Sequence, residues 1–180
     1  MTGLHVWTIG HSTRSIDEFL RVLAAYGIET LADVRRFPGS RRHPQFGGDA
    51  LAASLRSHGI DYAWIEQLGG RRRRSDAAAP SAWRHPSFQA YADHVASEEF
   101  AAGLDELMHL AAAGRTAIMC SELLWWRCHR AIISDVLLFS GVAVTHILSA
   151  DKSSAHSYTS PARLADGELT YALRDEDGSG

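Results

Sequence analysis

The chain has 180 residues, of which 46% are hydrophobic and 22% charged, and its formal net charge is −3. This composition is typical of a folded globular protein and excludes wholesale disorder, and the slight acidity gives no general attraction to nucleic acid. No apolar run approaches the roughly 18 residues that span a bilayer, and no basic segment followed by an apolar one opens the chain, so we expect a cytoplasmic protein with no membrane partner and with cysteines kept as thiols.

Five apolar segments have the length and β-branched content of buried strands. They are Leu4 to Ile9, Ile28 to Val34, Ile60 to Ile65, Thr116 to Cys120 and Val142 to Leu148.

Helical patterns occupy the stretches between these segments. Ser15 to Glu18 matches a capping box at the start of a first helix, and Asp49 is a plausible cap for a second. The pattern from Ser87 to Ala113 is helical, with Ser97 as the cap of a second helix after a break. A last helix is expected over His129 to Phe139.

Strands that alternate with helices indicate a parallel sheet covered on both faces. The sequence therefore predicts an α/β three-layer sandwich, with a mostly parallel sheet of about five strands flanked by helices. A partial barrel is the alternative, because periodicity does not distinguish an open sheet from a closed one. We expect a single domain over residues 1–174 and a disordered tail over residues 175–180.

Reactive side chains gather where four of the predicted strands end. The carboxyl ends of parallel strands share one edge of the sheet, which is where ligands bind in open α/β folds. We therefore expect a cleft at this edge. The four exits carry His11-Ser12, Asp33 to Ser40, Leu68 to Arg71, and Cys120 to Arg130.

Both cysteines lie in the last of these exits. Cys128 is expected near the first turn of a helix, beside His129 and Arg130. The partial positive charge of a helix N-terminus and a guanidinium group both lower the pKa of a thiol. Cys120 ends a strand, where a buried apolar filler is an equally good interpretation.

A metal site is a competing interpretation of the same residues. Cys120, Cys128 and His129 are three soft ligands, with Glu122 or His11 as a fourth. Seven residues separate the two cysteines, however, and no paired C-x-x-C motif is present. We therefore predict no metal ligands, and the sequence does not identify a cofactor.

All but one of the 18 basic residues are arginine, and two clusters stand out, Arg35 to Arg42 and Arg71 to Arg74. The planar guanidinium pairs with phosphate and carboxylate groups, so a local anion site competes with a solvated run of charge. Asp33 is expected to orient Arg35 or Arg130. Ser40 either binds an anion or holds a turn.

Six motifs together resemble domain of unknown function 488 (DUF 488), from about Thr8 to Leu148. In that family's pattern the two cysteines, the glutamate and the Cys-His-Arg run recur together, which implies a shared site. A weaker similarity, at the level of fold, is to rhodaneses and cysteine phosphatases. The motifs are Thr8 to Ser12, Asp33-Val34-Arg35, Pro38-x-Ser40-Arg41, Gln45-Phe46, Leu68-Gly69-Gly70, and Cys120-x-Glu122 with Cys128-His129-Arg130.

Three functions follow from these patterns. The first is a thiol-dependent hydrolase or transferase that acts on an anionic small molecule or nucleotide, either phosphorylated or sulfur-bearing. The second is a nucleic-acid-binding module with phosphate contacts from the two arginine clusters and with Trp64 or Trp83 stacking on bases. The third is a thiol-ligated metal protein.

For the enzyme we assign two sets of residues. The catalytic set is Cys120, Glu122, Cys128, His129 and His11. The substrate-binding set is Ser12, Asp33, Arg35, Ser40, Arg127 and Arg130.

Overall fold

The structure is a computed structural model that describes residues 3–74, 76 and 78–173. The predicted disordered tail, residues 175–180, lies outside the described residues. In the described part the strands are β1 (His5–Gly10), β2 (Thr30–Asp33), β3 (Asp61–Trp64), β4 (Thr116–Cys120), β5 (Ala143–Ser149), β6 (Lys152–Ala155), β7 (Arg163–Ala165) and β8 (Glu168–Thr170). The helices are α1 (Ile16–Ala25), α2 (Gly48–Arg56), α3 (Pro86–His94), α4 (Glu98–Ala113) and α5 (Arg130–Phe139).

Six of the strands form one central sheet in the order β3-β2-β4-β1-β5-β6. The first five are parallel, and β6 runs antiparallel to β5 at one edge. Within the described chain the strands do not close into a barrel, because β3 and β6 are the two edges of the sheet. The predicted α/β sandwich with a mostly parallel sheet is thus confirmed.

Two apolar clusters cover the two faces of the sheet. Helices α1 and α2 bury Phe19 and Leu51 against the strand face that carries Ile9. Helices α3, α4 and α5 pack on the opposite face, where Phe100 and Ile133 are buried. Successive strand residues point to opposite faces, so both faces of the central strands have to be apolar.

The order of strands creates a crevice beyond the carboxyl ends of β1 and β4. These strands are neighbours, with Gly10 opposite Cys120, but the helices that follow them, α1 and α5, cover opposite faces of the sheet. The two chains therefore separate at this point, and ligands of open α/β sheets bind in such crevices. A Cβ atom on Gly10 would lie 1.8 Å from the carbonyl oxygen of Glu122. Only glycine allows the segment after β4 to cross β1 so closely.

Two of the three predicted helix caps are confirmed. The hydroxyls of Ser15 and Ser97 accept hydrogen bonds from the amides three residues later. The prediction for Asp49 is wrong, because α2 begins after Gly47 and Asp49 lies within its first turn. A carboxylate in the first turn still stabilises the helix through its dipole.

Strand β6 was not predicted. Its sequence is Lys-Ser-Ser-Ala and all four residues are exposed, so it has no apolar pattern to identify it. No helix in the described ranges is long and apolar enough to cross a bilayer.

Candidate functional site

A cavity of about 600 Å³ lies at the carboxyl edge of the sheet, within the range of small-molecule sites. Of the described residues that line it, five are arginines and a single one, Glu122, carries a carboxylate. We call this cavity the arginine cleft. Its lining consists of His11, Ser12, Arg35, Arg36, Phe37, Gly39, Ser40, Arg41, Arg42, His43, Gly70, Arg71, Cys120, Ser121, Glu122, Cys128 and His129.

The two free thiols face each other at one end of the arginine cleft. Cys120 is the last residue of β4 and is buried, whereas Cys128 is partly exposed just before α5. Their sulfur atoms are 3.1 Å apart. Cys120 lies in the buried strand β4 and Cys128 lies two residues before the buried helix α5, so the packing of these two elements brings the thiols together.

The guanidinium of Arg130 binds both sulfur atoms from behind. Its Nε lies 3.0 Å from Sγ of Cys120 and 3.2 Å from Sγ of Cys128. One terminal nitrogen donates to Oγ1 of Thr8 at 3.2 Å, and the other donates to the carbonyl oxygen of Glu122. Arg130 is 1% exposed, so its charge acts in a region of low dielectric where electrostatic interactions are strong.

The surroundings push the pKa values of the two thiols in opposite directions. Burial by itself raises the pKa of Cys128, but the hydrogen bond from the Cys120 thiol and the charge of Arg130 outweigh it and hold the pKa well below its usual value. Burial and the neighbouring negative charge of Cys128 raise the pKa of Cys120 well above its usual value. These surroundings favour one thiolate shared with one thiol in the pair, and they favour the negative charge on Cys128.

Two histidines of the cleft are neutral. Burial lowers the pKa of His129, whose Nε2 donates a hydrogen bond to the carbonyl oxygen of Val34 at 2.7 Å. Burial lowers the pKa of His11 to about 4, and its Nδ1 donates to the carbonyl oxygen of Ser12 at 2.9 Å. A neutral imidazole carries one proton, so Nδ1 of His129 and Nε2 of His11 are left as acceptors.

Asp33 holds Arg35 in place at the wall of the cleft. Its carboxylate is fully buried and accepts bonds from Nε and a terminal nitrogen of Arg35 at 2.9 and 2.7 Å. The hydroxyl of Tyr62 donates to the same carboxylate at 2.6 Å. Asp33 itself does not line the cavity. It is thus the orienting partner of Arg35, and it does not pair with Arg130.

Two lining residues have left-handed backbone conformations that side chains rarely adopt. The φ angle of Ser12 is 51° and that of Arg71 is 56°. Conformations of this kind cost about 1–3 kcal/mol and cluster at functional sites. Ser12 follows β1, Arg71 follows the short turn Glu66–Leu68 after β3, and both line the cleft.

Most of the predicted site residues meet in this cavity. His11, Ser12, Arg35, Ser40, Cys120, Glu122, Cys128 and His129 all line it. Arg130 does not, because its guanidinium is buried behind the thiols. Its contact with substrate stays a prediction. Arg127 is exposed and lines a smaller neighbouring cavity of about 170 Å³ that shares Cys128 and His129.

The sequence patterns did not identify a buried polar chain behind Arg130. Oγ1 of Thr8, which accepts from Arg130, is 2.7 Å from Nδ1 of His146. Nε2 of His146 is 2.9 Å from Nδ1 of His156, whose Nε2 is 2.8 Å from the carboxylate of Asp135. The sequence carries one signal for this polar chain: Thr8, Asp135 and His146 are polar residues inside otherwise apolar strands and helices.

The indole of Trp125 stacks on the ring of His146 at 4.2 Å, so this tryptophan covers the polar chain, whereas Trp126 is half exposed.

Within the described ranges, no group of three or more histidine, cysteine or acidic side chains is arranged to hold a metal ion. A cation between the two sulfur atoms would also lie against the guanidinium of Arg130. The geometry thus offers no support to the thiol-ligated metal interpretation.

Comparison with known proteins adds one match. A family model described as "Domain of unknown function DUF488" covers residues 15–137, about two thirds of the chain. The matched segment includes both cysteines and Asp33 and ends within α5. No curated protein and no solved structure matches the chain.

Proposed function

The chain belongs to the DUF488 family, and we propose that it is an enzyme in which the thiolate of Cys128 attacks an anionic substrate bound by the arginine cleft. The substrates are phosphorylated compounds, nucleotides or sulfur-bearing anions. One observation carries the proposal: the thiol of Cys128, which Nε of Arg130 contacts at 3.2 Å, opens onto a cavity lined by five arginines. The direction of its pKa shift agrees with this geometry. Thiolates are the nucleophilic form of cysteine, and arginines bind anions in fixed geometry.

The remaining residues of the cleft have supporting roles in this proposal. Arg35, held by Asp33, and the hydroxyls of Ser12 and Ser40 bind the anionic group. His129 is the group that accepts or returns a proton, because it lines the cleft together with Cys128 and the hydrogen bond of its Nε2 to Val34 leaves Nδ1 as an acceptor. A reducing cytoplasmic environment keeps both cysteines as thiols.

The test is the pH dependence of alkylation by iodoacetamide, followed by mass spectrometry. We expect Cys128 to react at pH 6, well below the usual thiol pKa of about 8.5, and the fast reaction to be absent from Cys128→Ser. Millimolar inorganic phosphate should slow this reaction, and potassium chloride at equal ionic strength should slow it less. Alkylation of Cys128 only above pH 8.5, or no difference between the two anions, would contradict the proposal.

A nucleic-acid-binding module is a second candidate, supported by exposed aromatic rings beside the arginines. Phe37 is 60% exposed, with the guanidinium groups of Arg36 and Arg71 5.7 and 6.0 Å from its ring centre. Trp64 is 44% exposed, whereas Trp83 is stacked on Phe88. Single-stranded oligonucleotides would then bind with an affinity that falls steeply as salt is raised, because phosphate contacts release counterions. Salt-independent binding would contradict it.

A further inference from the structure

The second thiol of the arginine cleft has no role in a simple nucleophilic attack, yet it lies against the first. The chain contains two cysteines in all, and their sulfur atoms are 3.1 Å apart. A disulfide bond is about 2.05 Å long, so the two atoms need to approach by only about 1 Å to form one. Neither a phosphoryl nor an acyl group on Cys128 would require such a neighbour.

Arg130 makes the thiol of Cys120 reactive once a substrate is attached to Cys128. While Cys128 is a thiolate, its negative charge keeps the proton on Cys120. Once a substrate is attached to Cys128 this charge is gone, but Nε of Arg130 remains 3.0 Å from Sγ of Cys120. The pKa of Cys120 then falls, because the repulsion is lost and the attraction stays. The buried thiol becomes a nucleophile after the first step and not before it.

We infer that the substrates of the arginine cleft are anionic compounds with a sulfur–sulfur bond, and that Cys120 resolves the adduct that they form on Cys128. The inference rests on the proposed function, because it requires Cys128 to be the attacking thiolate. It names the substrate class and adds a second reacting residue to the site.

The reaction has three steps, and the atoms and electrons balance in each of them. In the first, the Cys128 thiolate attacks the compound RS–SR; its sulfur–sulfur bond breaks, one RS⁻ leaves, and a Cys128–S–SR bond forms. In the second, Cys120 loses its proton to solvent and attacks Sγ of Cys128, which expels the second RS⁻ and leaves a Cys120–Cys128 disulfide. An external dithiol then reduces this disulfide and is itself oxidised to a disulfide.

The charge of the cleft selects among such compounds. Five arginines face one carboxylate in its lining, so a disulfide with negatively charged ends is attracted and one with positively charged ends is repelled. Two aliphatic disulfides of similar size, dithiodipropionate and cystamine, differ in this respect. We expect the anionic compound to react with Cys128 at least about tenfold faster at low salt, with the difference shrinking as salt screens the charges.

The decisive experiment uses the full chain and one equivalent of dithiobis(nitrobenzoate), an aromatic disulfide with two carboxylates, with released thiolate read by absorbance and the protein by mass. The wild-type chain should release two thiolates per reagent molecule and lose the mass of two hydrogens. Cys120→Ser should release one thiolate and keep the aryl adduct on Cys128. Cys120→Ala should behave in the same way, and circular dichroism should show that both variants are folded.

Each outcome has one meaning. An aryl adduct that persists on Cys128 of the wild-type chain would overturn the resolving role of Cys120 and leave the proposed nucleophile intact. Absence of the adduct from folded Cys120→Ser would instead overturn the proposed function, and the inference with it. Equal rates for dithiodipropionate and cystamine would overturn the anionic substrate class alone.

Discussion

Asp33→Asn should be among the most damaging single changes to the stability of this protein. The carboxylate is fully buried and binds two nitrogens of Arg35 and the hydroxyl of Tyr62. Asparagine removes the negative charge and turns an NH₂ donor towards these donors, which leaves the guanidinium of Arg35, 8% exposed, without a counter-charge. Breaking a buried ion pair in this way costs about 3–5 kcal/mol.

The matched control is Asp93→Asn. Asp93 also pairs with two nitrogens of an arginine, Arg74, but the two side chains are 30% and 28% exposed. Such exposed pairs contribute about 0–1 kcal/mol. Urea unfolding should therefore separate the two variants by at least about 2 kcal/mol in free energy of unfolding, with equal m-values. Similar losses in the two variants would refute the argument that burial of the Asp33–Arg35 pair determines its importance.

Two further changes test other parts of the structure. Stability should fall as the pH is lowered from about 6.5 towards 4, because burial lowers the pKa of His11 to about 4 and that of His146 to about 3. The unfolded chain then binds protons that the folded chain does not, and urea unfolding at pH 7 and pH 5 measures the difference; equal stabilities would contradict it. Gly10→Ala should disrupt the packing of the segment after β4, because its Cβ would lie 1.8 Å from a backbone oxygen, whereas Gly39→Ala meets nothing within 4 Å. The melting temperature of Gly10→Ala should be several degrees lower than that of Gly39→Ala. Equal melting temperatures would show that the backbone near Glu122 can shift at little cost in stability.

Patterns within short stretches of sequence were enough to predict the five parallel strands of the central sheet and the side chains at their carboxyl edge. Strand β4 has the predicted bounds, Thr116–Cys120, because a strand buried on both faces is a continuous apolar run. The exits of parallel strands necessarily share an edge, so His11, Arg35 and Cys128 could be expected together. Their chemical roles stay predictions.

Local patterns failed where a residue's environment is set by its neighbours in space. Strand β6 is stabilised by pairing with β5, and its exposed polar sequence carries no trace of this. The sequence predicted Asp49 as the cap of α2, whereas the cap lies two residues earlier, at Gly47.

The position of Arg130 illustrates the same limit at the site. Beside Cys128 and His129 in the sequence, it resembled an anion ligand, but in the folded chain it is sealed behind both thiols and bound to Thr8, a residue 122 positions away. Periodicity specifies which face of a helix is buried. It does not specify which distant acceptors a buried guanidinium reaches, because packing between separate elements determines those contacts.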